Sequence, residues 1–235
     1  MSFLHDIFFP RAATCLYCQH PRTALLPGGL CPDCLEMLEE NKIGENACPR
    51  CMTPLSDSNS CPFCHQKALG GIRFAYAPFR YQGVARQLIL QLKFRYEDDA
   101  APLLVQHMLP MIPPGEYDAL VPVPLHKRKQ RFRGANQAET LCTLLSPKAG
   151  LPVLTPLSRT KYTRPQKDLT PSQRQRNVRD AFALNDKVEG LRILLVDDIR
   201  TTGATARECA RALLRGKAKY VGLLTAAIAT RDDEK

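Results

Sequence analysis

The sequence predicts an α/β protein, a doubly wound and mostly parallel sheet, preceded by a small N-terminal metal-binding module. Three observations carry that expectation. Four Cys-x-x-Cys pairs crowd into the first 64 residues. Beyond residue 70, short runs of strand-forming apolar residues alternate with segments of helical apolar spacing. One such run, ArgIleLeuLeuVal (192–196), ends in two carboxylates and a hydroxyl-rich turn, AspAspIleArgThrThrGlyAlaThr (197–205), that opens into a helix.

The module is expected over 1–70 and the α/β domain over 71–235, with GlyGly (70–71) marking the exit. Its pairs are Cys15/Cys18, Cys31/Cys34, Cys48/Cys51 and Cys61/Cys64, with twelve residues between the first two and nine between the last two. A two-residue gap lets both thiolates of a knuckle turn face one ion, and two knuckles complete a tetrahedral shell. The simplest reading is two structural zinc ions in tandem, one on Cys15, Cys18, Cys31 and Cys34, the other on Cys48, Cys51, Cys61 and Cys64. An interleaved pairing, first knuckle with third, satisfies the same spacing. Redox chemistry at a Cys-x-x-Cys needs a strand–helix context that these four closely spaced copies lack. So short a segment buries too little surface to fold without metal, so zinc is expected to fold about residues 10–68. Cys142 and Cys209 lie in helical, apolar surroundings and read as core residues.

In the body, residues 72–81 loosely alternate and read as an antiparallel strand or hairpin arm. Helices are expected over 84–94, 103–109 and 135–145, strands over 119–124, 153–157 and 220–228. Ligands of such sheets bind at the carboxyl ends of strands, where loops starting at 125, 158 and 197 converge. The turn after 198 leads into a helix over 206–215, and it aims N–H groups, hydroxyls and the helix dipole at a phosphate. Asp197 and Asp198 are left beside that anion, suited to sugar hydroxyls or, through water, to a divalent metal. The combination describes a phosphorylated ribose.

The net charge of +10 is concentrated in one segment. Residues 126–179 hold thirteen Lys and Arg against two acids, a net of +11. Such a segment seeks a polyanion, either a pyrophosphate-bearing substrate or a nucleic-acid backbone. Within it, residues 157–182 read as a long polar loop with no clear apolar period before Val178, the pattern of a mobile functional lid or of a disordered segment. There is no uncharged apolar run of 18 residues, and the N-terminus lacks a basic start. A cytoplasmic protein without membrane insertion is therefore expected.

The 192–205 string resembles the 5-phosphoribosyl-1-pyrophosphate (PRPP) motif of type I phosphoribosyltransferases. Arg200 replaces the common aliphatic residue there and is expected to face out of a turn. More broadly, the Cys-x-x-Cys repeats, ValProValProLeu (121–125), ArgGlyAlaAsnGln (133–137), ThrArgProGln (163–166) and the acid-pair string resemble the ComF/GntX family, in the same order along nearly the whole chain. Ala135 stands where many relatives carry an aromatic, which weakens any stacking role at that position.

The resemblance implies a type I phosphoribosyltransferase fold behind a double zinc ribbon. It implies that Asp197 and Asp198, the catalytic positions, hold the ribose hydroxyls directly or through Mg²⁺. Thr201, Thr202, Gly203, Ala204 and Thr205 would cradle the 5-phosphate. Lys127, Arg128 and Arg133, with Arg159, Lys161 and Arg164 from the lid, would meet the pyrophosphate. The reaction class is displacement of pyrophosphate at ribose C1 through an oxocarbenium-like transition state. No residue identifies the acceptor. A binding role stands beside it, in which the zinc module and basic segment (Lys127, Arg128, Lys129, Arg131, Arg133) hold single-stranded DNA in natural transformation, with DNA-uptake proteins as partners. The alternative is a transferase acting on a nucleobase or other small acceptor in salvage metabolism.

Overall fold

A computed structural model of the chain describes residues 14–21, 25, 28–55, 61–65, 69–93, 97–126, 135–160 and 181–229. The N-terminal region contributes helix α1 (Pro32–Glu40) and a single turn, α2 (Pro62–His65). The body follows with β1 (Ile72–Tyr76), β2 (Phe79–Arg80), α3 (Gly83–Lys93), α4 (Glu97–Met108), β3 (Ala119–Pro122) and α5 (Gln137–Ala149). Last come β4 (Leu157–Arg159), β5 (Phe182–Leu184), β6 (Arg192–Arg200), α6 (Ala204–Arg215) and β7 (Tyr220–Ile228).

The main sheet runs β1–β7–β6–β3, with β2 also on β7 beyond the end of β1, and every pairing is parallel. Parallel strands are covered on both faces, which explains the unbroken apolar runs in β3, β6 and β7. Residue parity divides them. Leu194, Val196, Leu224 and Ala226 pack with α3, α4 and α5 on one side. Ile193, Leu195, Val221 and Leu223 pack with Ala206, Cys209, Ala210 and Leu213 of α6 on the other. Cys142 and Cys209 are fully buried in these two cores, as expected. Gly222 is required by close approach, because a Cβ there would lie 2.1 Å from the Tyr117 hydroxyl.

Two expected strands are corrected. Residues 72–81 pair parallel to β7 and not as a hairpin arm. No reversing turn lies between Tyr76 and Phe79; AlaPro (77–78) merely interrupts the ladder, since proline has no N–H to donate. The strand expected over 153–157 is reduced to a single parallel bridge, Leu120 with Val153. Prolines at 152 and 156 bracket it, and the strand that does form, β4, pairs antiparallel with β5. Residues 157–159 and 182–184 are thereby tied together.

The zinc module is not a separate lobe. The Ala75 amide donates to the Arg50 carbonyl at 2.9 Å, the Arg80 amide to Asn41 at 2.8 Å, and the Ile43 amide to Pro78 at 2.9 Å. These bonds cover the β1/β2 edge of the sheet, which would otherwise stand open to pairing. Leu30 and Leu38 share one buried cluster with Phe79, Leu88 and Leu104.

At the amino end of the sheet, Arg192 grips Asp118. Its amide donates to Oδ2 at 2.8 Å and its Nε to both carboxylate oxygens at 3.1 Å. These hydrogen bonds hold the Asp118 carboxyl down to about 2. A depressed carboxyl stabilises the fold above the ordinary pKa near ~4 and loses that contribution as pH falls through the depressed value. Asp118→Asn should therefore lower Tm at pH 7 and flatten its fall between pH 4 and pH 2, followed by circular dichroism. Equal slopes for variant and parent would show that the pair is screened away at the surface.

Candidate functional site

Two four-sulfur clusters are preassembled. The Sγ atoms of Cys15, Cys18, Cys31 and Cys34 lie within 4.8 Å of one another, and so do those of Cys48, Cys51, Cys61 and Cys64. The pairing is therefore tandem, which removes the interleaved alternative. None of the ten cysteines is joined in a disulfide. Across the second cluster, Cys48 and Cys64 sulfurs stand 3.8 Å apart and those of Cys51 and Cys61 3.5 Å. A tetrahedral zinc with bonds of about 2.3 Å puts its sulfurs about 3.8 Å apart, so the donor set fits the ion. Amides stabilise the knuckles, Cys31 N–H on Cys15 Sγ and Cys64 N–H on Cys61 Sγ, both at 3.4 Å. A hydrogen bond from the His20 backbone draws the Cys18 thiol down to about 7, whereas burial pushes Cys34 and Cys64 up. Crowded thiols ionise together only around a cation. With every coordination position filled by sulfur, both zinc sites are structural.

The acid pair sits near the carboxyl end of β6. Asp197 pairs in register with Thr225 of β7, and its Oδ1 accepts the Asp198 amide at 2.9 Å. Period two places Asp197 on the face of Ile193 and Leu195, and Asp198 on that of Leu194 and Val196. Both carboxylates are partly exposed. The turn Thr201–Gly203 then delivers the chain into α6. Gly203 caps the helix at φ 67°, a left-handed conformation that glycine adopts without strain. Thr202 Oγ1 accepts the Ala204 amide at 3.4 Å, and the Arg207 amide reaches back to the Gly203 carbonyl at 2.9 Å. The first turn of α6 thus points toward the loops at the carboxyl end of the sheet.

Arg200 corrects an expectation. It lies inside β6, paired with Ile228, and is only 3% exposed. Its Nη2 donates to the Cys51 carbonyl at 2.8 Å and to Thr53 Oγ1 at 3.0 Å, and its guanidinium sits 4.1 Å from the Phe63 ring centroid. The strand simply continues past the acid pair, so the side chain enters the interface with the second zinc ribbon. A guanidinium buried there without partners would cost on the order of 3–5 kcal/mol.

Of the expected cations, Arg159 is placed at the site: it ends β4, stacks 5.4 Å from the Phe182 ring and lies in electrostatic reach of Asp197. Burial draws its guanidinium pKa down. Lys127, Arg128, Lys129, Arg131, Arg133, Lys161 and Arg164 fall outside the described residues. Anchors at the borders of the first basic stretch are described. The Asn136 amide donates to the Val123 carbonyl at 3.2 Å while its Oδ1 caps α5 through the Ala138 amide at 3.2 Å. Gln137 donates to the Leu92 carbonyl of α3 at 3.3 Å. Sequence reasoning assigned neither residue a role and began the helix at 135; the N-cap preference of Asn was the available signal that it starts after Asn136.

Residues 4–65 match the model of the double zinc ribbon domain. The chain is 32% identical over 216 residues to the DNA utilization protein YhgH of Salmonella typhimurium, covering 88% of this chain and 93% of that one. The chain belongs to the ComF/GntX family. Bacillus subtilis competence protein ComFC, another ComF/GntX relative, is 28% identical over 206 residues, 83% of this chain and 82% of that one. Haemophilus influenzae competence protein F is 37% identical over 100 residues, 41% of this chain and 44% of its own. Among solved structures, the glutamine PRPP amidotransferase of B. subtilis aligns at TM-score 0.39 and 19% identity, over 57% of this chain and 30% of that chain. Trypanosoma cruzi hypoxanthine phosphoribosyltransferase aligns at 0.34 and 13%, over 63% and 68%. This ComF/GntX protein joins a double zinc ribbon to a parallel-sheet α/β domain.

Two tetrathiolate sites require two zinc ions per chain. Elemental analysis of freshly purified protein should return that stoichiometry, and Cys15→Ser should lose one ion and open the module to protease. One ion or none in the parent protein would overturn the two-site reading.

Proposed function

We propose that this protein binds PRPP at the carboxyl end of β6 and handles single-stranded DNA along its basic segment, in a role of the DNA-uptake kind. The observation that carries the first half is a carboxylate pair near the carboxyl end of a central parallel strand, followed within a few residues by a left-handed glycine at a helix N-terminus. In this reading the hydroxyls of Thr201, Thr202 and Thr205 and the first-turn amides of α6 receive the 5-phosphate. Asp197 and Asp198 hold the ribose hydroxyls from opposite faces of the strand. Carboxylate oxygens at this position also suit Mg²⁺, which when bound neutralises pyrophosphate charge. Arg159 of β4, with Lys127, Arg128 and Arg133 and the lid residues Lys161 and Arg164, supplies the remaining cations.

Support for nucleic acid comes from the net +11 of residues 126–179, more than one pyrophosphate requires, and from relatives named for DNA utilization and competence. Transfer of the ribosyl group to a nucleobase or other small acceptor is the second reading, favoured by the same acid pair and turn. Among the described residues, no helix is long and apolar enough to cross a membrane.

Replacing both acids, Asp197→Asn with Asp198→Asn, should weaken PRPP binding in the presence of Mg²⁺ by at least tenfold and leave Tm nearly unchanged, since both carboxylates are partly exposed. Calorimetric affinity equal to the parent's would remove PRPP from this site. For the nucleic-acid half, labelled oligonucleotide affinity should fall with salt at a slope of about −0.7 per phosphate contacted. Arg128→Ala, Arg131→Ala and Arg133→Ala together should flatten it by roughly two to three contact equivalents. Absence of salt-dependent binding in the parent, with pyrophosphate released from PRPP in the presence of a small acceptor, would favour the transferase.

A further inference from the structure

Among the described residues only two charged side chains are buried, Glu208 and Arg200. Glu208 has Arg211 against it at 2.6 Å. For Arg200, the partners are all elements of the second zinc ribbon. Its donors go to the carbonyl of one zinc ligand, Cys51, and to the Thr53 hydroxyl, which itself lies 3.1 Å from Cys51 Sγ. Phe63, the ring beneath it, stands between the ligands Cys61 and Cys64. Four thiolates around one Zn²⁺ leave a formal charge of −2 on the cluster. A buried cation needs a counter-charge, and no carboxylate among the described residues bridges to this one.

Arg200 is also fixed at its other end. Its backbone is part of the β6 ladder, and its carbonyl accepts the Ala229 amide at 2.9 Å. The next residue is Thr201, the first of the hydroxyl turn. One side chain therefore spans from the shell of the second zinc cluster to the hinge of that turn. The first cluster is tied down elsewhere, through Gln91 of α3, which donates to the Leu16 carbonyl.

We propose that Arg200 is a positioning residue that couples the second zinc ribbon to the turn at 201–205, as counter-charge to the Cys48/Cys51/Cys61/Cys64 cluster. The link to a ligand rests on the reading of that turn as a phosphate cradle; the link to the metal does not. Coupling of this kind is reciprocal: what steadies the cluster steadies the turn, and a ligand on the turn slows metal loss from the second cluster alone. Second-shell partners of a zinc site act in this way by fixing its ligands.

The test uses the full chain. In Arg200→Leu, chelator challenge should release one of the two zinc ions at least tenfold faster and leave the other at the parental rate. Substitution with ¹¹³Cd should shift one of two resonances. Both ions leaving at parental rates would overturn the proposal. Should Arg200→Leu not fold, Arg200→Lys keeps the charge and loses the paired donors, and an intermediate release rate is expected; a parental rate there counts equally against it. Amide hydrogen exchange over 201–205 should quicken in Cys61→Ser and stay unchanged in Cys18→Ser. Unchanged exchange in Cys61→Ser would break the link between cluster and turn. Finally, PRPP with Mg²⁺ should bind Arg200→Leu about tenfold more weakly and, in the parent, move only the second ¹¹³Cd resonance. A parent that binds PRPP with neither resonance moving contradicts the coupling. A parent that binds no PRPP removes the phosphate reading, and the release and exchange measurements then decide the rest.

Discussion

The parallel pairing of β6 with β7, nine residues each, fixes where the other elements can go. β7 carries β1 and β2 along its far side, and β6 carries β3, so the two strands form the middle of the sheet. Their length matters as much as their position. Shorter strands would have ended at the apolar run; instead β6 continues through Asp197 and Asp198 to Arg200, with Ile199 and Arg200 still in register with Ala227 and Ile228. A rigid ladder thus holds the acid pair, and the turn to α6 starts from a defined point. Precision at a site comes more readily from a strand than from a free loop.

The same sheet has an open edge at β1 and β2, and the zinc ribbons close it. Backbone bonds from Asn41, Ile43 and Arg50 complete the edge ladder. Leu30 and Leu38 fill the space over α3 and α4. Each of those leucines contributes about 1.5–3 kcal/mol by its burial. That is too little to order about fifty residues against their chain entropy, so metal ligation has to supply the remainder. The dependence runs both ways. The ribbons need zinc to present their edge-covering backbone, and the sheet needs that cover to keep its outer strands from pairing with another chain.

Much of this was legible in the residues. Cysteine spacing showed the ribbons because ligand geometry is a local property, and the acid-pair string showed its strand–turn–helix because each part has its own local signature. What escaped was non-local. Whether 72–81 lies parallel or antiparallel depends on a partner more than a hundred residues away, β7. Arg200 read as an outward turn residue because nothing near it in sequence announces a buried partner; Cys51 and Thr53 lie 149 and 147 positions away. The pairing of β4 with β5 escaped for the same reason: three-residue strands have no periodicity to detect. Asn136 and Gln137 look like ordinary polar residues until the carbonyls of Val123 and Leu92 appear beside them.

Electrostatics also divides the surface between the two parts of the chain. The sequence suggested that the zinc module shares in holding DNA, but α1 turns Asp33, Glu36, Glu39 and Glu40 outward. Of the nearby cations, Lys42 is engaged with Glu39. A phosphate backbone approaching this face of the helix meets like charge. The second ribbon differs: Arg50 is exposed there, with its Nε on the Arg73 carbonyl at 3.2 Å. Among the described residues, α1 of the first ribbon thus presents carboxylates to the surface, whereas the second ribbon presents the Arg50 cation. The ribbon that Arg200 joins to the hydroxyl turn is thus also the one that carries this exposed cation.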